Sequence, residues 1–298
     1  MKYTFLPLFL LVLLSGCGGE ETTVEYMAEV DHWHAARIER LKSDTGWLTL
    51  VGLHPLKPGV NSVGTGADAD IIMPAGAPYW LGTLAVMPDE IVFSVHPDAT
   101  VELYGEESAG RLSTTTLATD KEGPPTVLTA GSLQFYVIDR DGNQFLRVKD
   151  RESPVLQSFT GIDRYPVDVR WRLTARLESG PATVSVPNVL GHASTSPSPG
   201  ILVFEIDGTE HRLTPTGEPG QAMFLVFGDA SNGQGTYPGG RFLAVEPPAA
   251  DGTVIIDFNR AYNPPCVFTE YATCPLPSPA NTLPVAVEAG EKMWGDHH

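Results

Sequence analysis

Short apolar runs broken by Gly, Pro, Asp or Asn recur along most of this chain, and this punctuation is what most limits its fold. The runs Trp47 to Leu53, Ile91 to Val95, Leu133 to Ile138, Leu202 to Ile206, Met223 to Phe227 and Val254 to Phe258 have the length of strands rather than of helices. The 298 residues include 30 Gly and 26 Pro, enough to end each run in a turn, so the chain is expected to be mostly antiparallel β structure. Within Phe135 to Val148, Asp141-Gly142 separates two apolar runs and predicts a hairpin. Gly142 falls too early for an EF-hand loop, so Asp139 and Asp141 are assigned to the turn rather than to calcium. Asp168 to Leu177 alternates, with Val169, Trp171, Leu173 and Ala175 on one face, while His192 to Gly200 is rich in Ser and Pro and reads as a loop.

One segment departs from this pattern. Val30, Trp33, Ile38 and Leu41 recur at helical spacing, which predicts a helix over 25–45 ending before Gly46. Two β units follow, a sandwich-like half over 46–165 and a second antiparallel unit over 166–292, with a tail at 293–298.

Ahead of the helix, Met1 and Lys2 precede an apolar run from Phe5 to Leu14, which has the layout of a secretory signal and is too short to span a bilayer. It ends in Leu14-Ser15-Gly16-Cys17, which resembles the lipobox of bacterial lipoproteins. The resemblance implies removal of residues 1–16, a diacylglycerol on Cys17 and a location in the cell envelope. Residues 17–24 are polar and would serve as a flexible tether. Gly18, rather than Asp, follows Cys17, which implies the outer membrane, facing the periplasm, in a Gram-negative cell.

The formal net charge of -17 argues against nucleic acid, whose phosphates would be repelled, and tolerates neutral or cationic ligands. A hydrophobic fraction of 42% agrees with a packed globular body. With Cys17 assigned to lipid, Cys266 and Cys274 remain as an even pair in a compartment that permits disulfides, and they are expected to pair. Two free thiols, or a metal pair, are the alternatives. The stretch is Pro-rich and lacks a nearby His, so it does not have zinc spacing.

Two further resemblances bear on the body. Gly59-Val60-Asn61-Ser62-Val63-Gly64, followed by Asp70-Ile71, resembles the opening strands of a forkhead-associated β-sandwich. Thr65 stands where phosphothreonine readers of that kind carry an Arg, so phosphopeptide binding is not carried over. More of the chain is covered by a second set of blocks. These are Gly46-Trp47-Leu48, Phe159-Thr160-Gly161, Phe227-Gly228-Asp229, Gly235 to Phe242, Asp257-Phe258-Asn259, Asn263-Pro264-Pro265-Cys266 and Glu288 to Lys292. Together they resemble the bacterial domain-of-unknown-function family 1684 over nearly the whole chain after the leader. That family supplies a fold-sized unit and no reaction.

The densest polar block gives the candidate site. Asp257 follows the apolar run Val254 to Ile256, where a buried strand emerges. Asn259, Tyr262 and Asn263 can donate and accept hydrogen bonds, and Tyr237 and Arg241 lie in a second glycine-rich segment with Asp229 upstream. With Glu291, these residues would suit a small polar ligand, a sugar or an envelope partner bound by an envelope lipoprotein. In a hydrolase, Asp257, Glu291 and Asp229 would divide into acid, base and water-positioning groups. A third reading makes the same residues a structural polar knot in which Arg241 pairs with Asp229 or Asp257. The elbow, phosphate-loop and zinc-helix motifs of common enzymes are missing from the sequence, and no cofactor is expected.

Overall fold

The computed structural model describes residues 18–105 and 112–295, with side chains from residue 23 onward. Cys17 and the leader lie outside the described residues. The protein is mostly β, built from several antiparallel sheets and one long N-terminal helix.

That helix, α1, runs Gly18–Lys42, so it begins inside the segment read as a tether and stops short of residue 45. Tyr26, Val30, Arg37 and Leu41 face the body and are buried, as their spacing dictates. Its end is set by Gly46, whose amide donates to Ser43 at 2.7 Å and where a Cβ would sit 2.1 Å from the Leu41 carbonyl oxygen. No side chain fits there.

The first half contains β1 (Leu50–Pro55), β2 (Gly59–Gly64), β3 (Ile71–Ile72), β4 (Gly82–Val86), β5 (Ile91–Val95), β6 (Glu102–Leu103), β7 (Thr114–Thr116), β8 (Leu128–Ala130), β9 (Leu133–Arg140) and β10 (Asn143–Asp150). They form two five-stranded sheets, ordered β1-β10-β9-β8-β6 and β3-β2-β4-β5-β7. One apolar core joins them, with Leu84 and Phe93 from one sheet against Phe135, Leu146 and Val148 from the other. Phe93 and Phe135 meet edge to face, 5.4 Å between ring centroids. The Asp141-Gly142 turn closes the β9–β10 hairpin with both residues at positive φ, 56° and 83°. Asp139 is spent there, accepting from the Gly142 amide at 2.9 Å. Asn61 and Asp70 also serve the backbone, Asn61 bonding Lys57 and Leu84 and Asp70 bonding Ser62.

A short helix α2 (Pro154–Ser158), capped by Ser153, leads into the second unit. Its strands are β11 (Arg172–Glu178), β12 (Thr183–Pro187), β13 (Ala193–Pro197), β14 (Ile201–Ile206), β15 (Thr209–Leu213), β16 (Met223–Phe227), β17 (Arg241–Val245) and β18 (Thr253–Asp257). A four-stranded sheet ordered β15-β14-β11-β18 and the β16–β17 pair enclose a core around Phe204, Phe227, Leu243, Ile256 and Phe258.

Two details differ from the sequence reading. Val169 to Trp171 form a 3-10 turn because Asp168 accepts from the Arg170 amide, so Val169 is left exposed while Trp171 and Ala175 stay buried. The Ser- and Pro-rich segment read as a loop contains β13, which pairs with β12 from Thr183↔Pro197 to Pro187↔Ala193. Partner pairing overrides its weak local preference.

The halves meet around Trp47. A small cluster of Leu50, Val226, Phe242, Ala272 and Cys274 takes residues from both, with Trp47, Phe224 and Tyr262 packed against it. Arg147 and Lys149, on one face of β10, lie 5.5 and 5.6 Å from the Trp47 ring. Burial, and then Arg147 beside it, pushes the Lys149 ammonium down to about 8.

Candidate functional site

The polar residues singled out from the sequence gather at the face of the second unit that receives α1 and the C-terminal segment. There they form three internal knots. In the first, Arg241 and Asp229 are wholly buried and pair at 2.8 Å. The Arg241 guanidinium also donates to the Val287 carbonyl at 2.8 Å and to that of Ala289. Asp229 is filled in turn by the Ser231 amide at 2.9 Å, the Ser231 hydroxyl at 2.5 Å and the Val287 amide at 3.0 Å. Burial weakens the hold of Arg241 on its proton, and the Asp229 charge opposes this. Tyr237 packs into a different apolar cluster, around Leu41 and Phe268.

The second knot joins α1 to the last residues. Glu291, also wholly buried, accepts from Arg37 Nε at 2.5 Å and from the Asn263 amide at 2.7 Å. Arg37 donates further to the Asn263 carbonyl at 2.9 Å and lies 4.4 Å over the Tyr262 ring. Asn263 spends its side-chain amide on the Lys292 carbonyl at 2.7 Å.

In the third knot, the Tyr26 hydroxyl of α1 donates to Asp257 Oδ1 at 2.8 Å, and the same oxygen takes the Asn259 amide at 3.1 Å. Asn259 bridges to the Asp168 carbonyl at 2.9 Å and accepts from the Asp168 amide at 3.0 Å. Burial, with Asp257 next in importance, raises the Tyr26 phenol above its ordinary value. Around the rim, Arg260 binds Glu29 at 3.2 Å and Arg164 pairs with Asp31.

Apart from Tyr237, the candidate residues are thus brought to one region, where the charged and amide side chains are spent on one another, on α1 and on backbone carbonyls, with Arg241 Nε and Asn263 Oδ1 left without a partner. Sequence reasoning did not find their partners Tyr26 and Arg37, because nothing in a helical stripe announces a contact more than two hundred residues away. Among the described residues, no group of three or more His, Cys, Asp or Glu side chains is placed to hold a metal ion.

The openings lie elsewhere. Cys266 and Cys274 are disulfide-bonded, with their Cα atoms 6.2 Å apart. Their loop reaches the first half through Thr269, whose hydroxyl donates to the Leu50 carbonyl at 3.1 Å, and Thr273, which accepts from Arg140 and Arg147 at 3.4 Å each. On its other side the Val189 amide donates to Cys274 O at 3.0 Å and the Leu276 amide to Pro187 O at 2.8 Å. The β12–β13 hairpin is thereby held as a flap over β16. Beneath it lie two cavities, of about 270 and 320 Å³, which share Val186, Thr216, Phe224 and Val226 in their linings. Val184, Val186, Ser194 and Ser196 occupy the half-buried positions of the hairpin, alternating with exposed ones.

Fold and site define a mostly β protein with a polar clasp whose buried charges pair internally and an open cleft beside it. Residues 157–292 match the model of a family described as protein of unknown function (DUF1684), which supports the resemblance read from the sequence for that part of the chain. Gly46-Trp47-Leu48 falls outside the match. No curated protein matches the chain. An uncharacterized protein of Haloarcula marismortui, solved by solution NMR, is 30% identical over 47% of this chain and 80% of its own, with a TM-score of 0.39.

Proposed function

We propose that this chain is a lipid-anchored envelope protein that binds a small polar ligand in the cleft beneath the β12–β13 flap. The anchor rests on Leu14-Ser15-Gly16-Cys17. Among the described residues no helix is long and apolar enough to cross a membrane.

The cleft carries the binding part of the reading. Cavities of about 270 and 320 Å³ over a shared floor straddle the lower bound of small-ligand pockets, roughly 300 Å³, with apolar side chains crossed by a few polar ones. The hydrolase reading draws less support from the geometry. A general acid or base must come within hydrogen-bond reach of the substrate, yet Asp229 and Glu291 are wholly buried and Asp257 is largely so. A purely structural role is the second reading, favoured by the saturation of those same groups.

Two measurements test the proposal. Labelling cells with a palmitate analogue should mark the wild type and not Cys17→Ala. Fragment screening of the isotope-labelled full chain by NMR should shift Thr216, Phe224 and Ser194 together. Polar fragments that shift residues only outside the cleft would remove it as the binding site.

A further inference from the structure

We infer that the cleft takes an uncharged oligosaccharide, threaded beneath the flap so that neighbouring sugar units occupy the two cavities. This rests on the cleft being the binding site and adds the class of ligand. Val186, Thr216, Phe224 and Val226 line both cavities, which therefore adjoin under the flap, and a passage running through both would suit a chain molecule better than a single compact one.

The hydrogen-bonding groups set the chemistry. Among the described residues, the hydroxyls of Ser194, Ser196 and Thr214 bond no other protein group, although all three residues line the cavities. A hydroxyl both donates and accepts, so a row of them suits a ligand whose own groups do the same. Phe224 gives the floor a flat apolar strip that could receive the C–H face of a sugar ring. Phe242 holds that ring edge to face at 5.0 Å.

Charge argues in the same direction. The charged side chains of the linings are Asp139, Arg140 and Asp141, all in the larger cavity and none in the smaller. Arg140 forks onto Asp120 at 3.1 and 2.9 Å and also donates to the Asp139 carbonyl at 2.5 Å, so it has little left to offer an acidic ligand. The net charge of -17 further disfavours anions.

The test uses the full chain in a detergent without a sugar headgroup, titrated calorimetrically. Probes are neutral gluco- and galacto-configured tetrasaccharides, chitotetraose, the corresponding monosaccharides, tetragalacturonate and tetra-alanine. The expected result is saturable binding of at least one neutral tetrasaccharide, at least ten-fold tighter than its monosaccharide. Phe224→Ala should weaken it about ten-fold, and Ser194→Trp, which fills the passage from the flap, should abolish it even if Phe224→Ala does not fold. Binding confined to tetragalacturonate or tetra-alanine, yet lost in Ser194→Trp, would overturn the oligosaccharide and leave the cleft standing as a site. Failure of every probe, or neutral binding indifferent to both substitutions, would overturn the cleft and the oligosaccharide together.

Discussion

Truncating Glu291 to Ala removes the acceptor around which α1 is fastened. Its carboxylate is wholly buried and takes Arg37 Nε at 2.5 Å and the Asn263 amide at 2.7 Å. Without it, the Arg37 guanidinium, itself only 10% exposed, keeps the Asn263 carbonyl and the face of Tyr262 but no counter-charge. Breaking a buried pair from one side costs about 3–5 kcal/mol, because the remaining charge stays desolvated. At roughly 2–4 °C per kcal/mol for a chain of this order of size, Tm should fall by about 6–20 °C. By contrast, Glu39→Ala at the exposed Lys42–Glu39 pair should cost less than about 0.5 kcal/mol. The double variant Arg37→Met/Glu291→Leu should be less destabilised than Glu291→Ala, since it leaves no orphan charge. Urea denaturation gives the energies, and hydrogen exchange of the α1 amides shows whether the helix is what loosens. A loss under about 1 kcal/mol for Glu291→Ala, or a larger loss with α1 protection unchanged, would refute the clasp.

Three other outcomes follow from the same geometry. The Lys149 ammonium is held at about 8 against 10.5 ordinarily, so above pH 8 the unfolded chain binds the extra proton. Stability should therefore rise with pH from about 8 towards 9.5, by at most about 3 kcal/mol if the full window to 10.5 were reached; Lys149→Met should flatten that slope in urea titrations at stepped pH. Reducing the Cys266–Cys274 bond, or replacing both residues with Ser, should cost about 2.5 kcal/mol for so short a loop, with the β12–β13 amides losing protection first. Tyr26→Phe should cost about 1–2 kcal/mol, because it leaves the Asn259 amide and Asp257 one partner short while keeping the ring over which Arg172 lies, and equilibrium denaturation reads it directly.

Sequence made the strands legible wherever burial and turn chemistry agreed. Ile91 to Val95 and Met223 to Phe227 are strands at the expected residues, and Asp141-Gly142 turns the hairpin through the two positive φ angles that this dipeptide tolerates. What stayed hidden depends on tertiary partners. Ser194 and Ser196 have no apolar alternation to betray a strand, and they become one only because Val184 and Val186 lie opposite. The candidate site shows the same division. Asp229, Arg241, Asp257, Asn259, Asn263 and Glu291 were identifiable as a polar block, but whether such a block faces solvent or itself is decided by α1, far away in the chain, for the last four and by the Val287 to Ala289 segment for Asp229 and Arg241. The cleft gave no warning at all, because its floor of Phe224 and Val226 reads as ordinary core.

On the anchored reading, the clasp also fixes how far the body stands from the bilayer. Helix α1 is continuous from Gly18 to Tyr26, whose hydroxyl Asp257 holds, so those residues form a spacer of about 12 Å of helix rather than a loose leash. A rigid spacer predicts a narrow range of heights, and Val24→Pro tests it. Val24 is 67% exposed, so the substitution removes little packing and acts through the backbone, where an interior proline costs about 3 kcal/mol of helix. That cost falls on turns ahead of the Tyr26–Asp257 bond, so Tm should move by less than about 2 °C while neutron reflectometry on a supported bilayer records a broadened body layer. A large fall in Tm would mean that the first turns are part of the clasp. An unchanged layer would mean that something other than the helix sets the distance, and the spacer argument would then fail even if the lipid on Cys17 were proved.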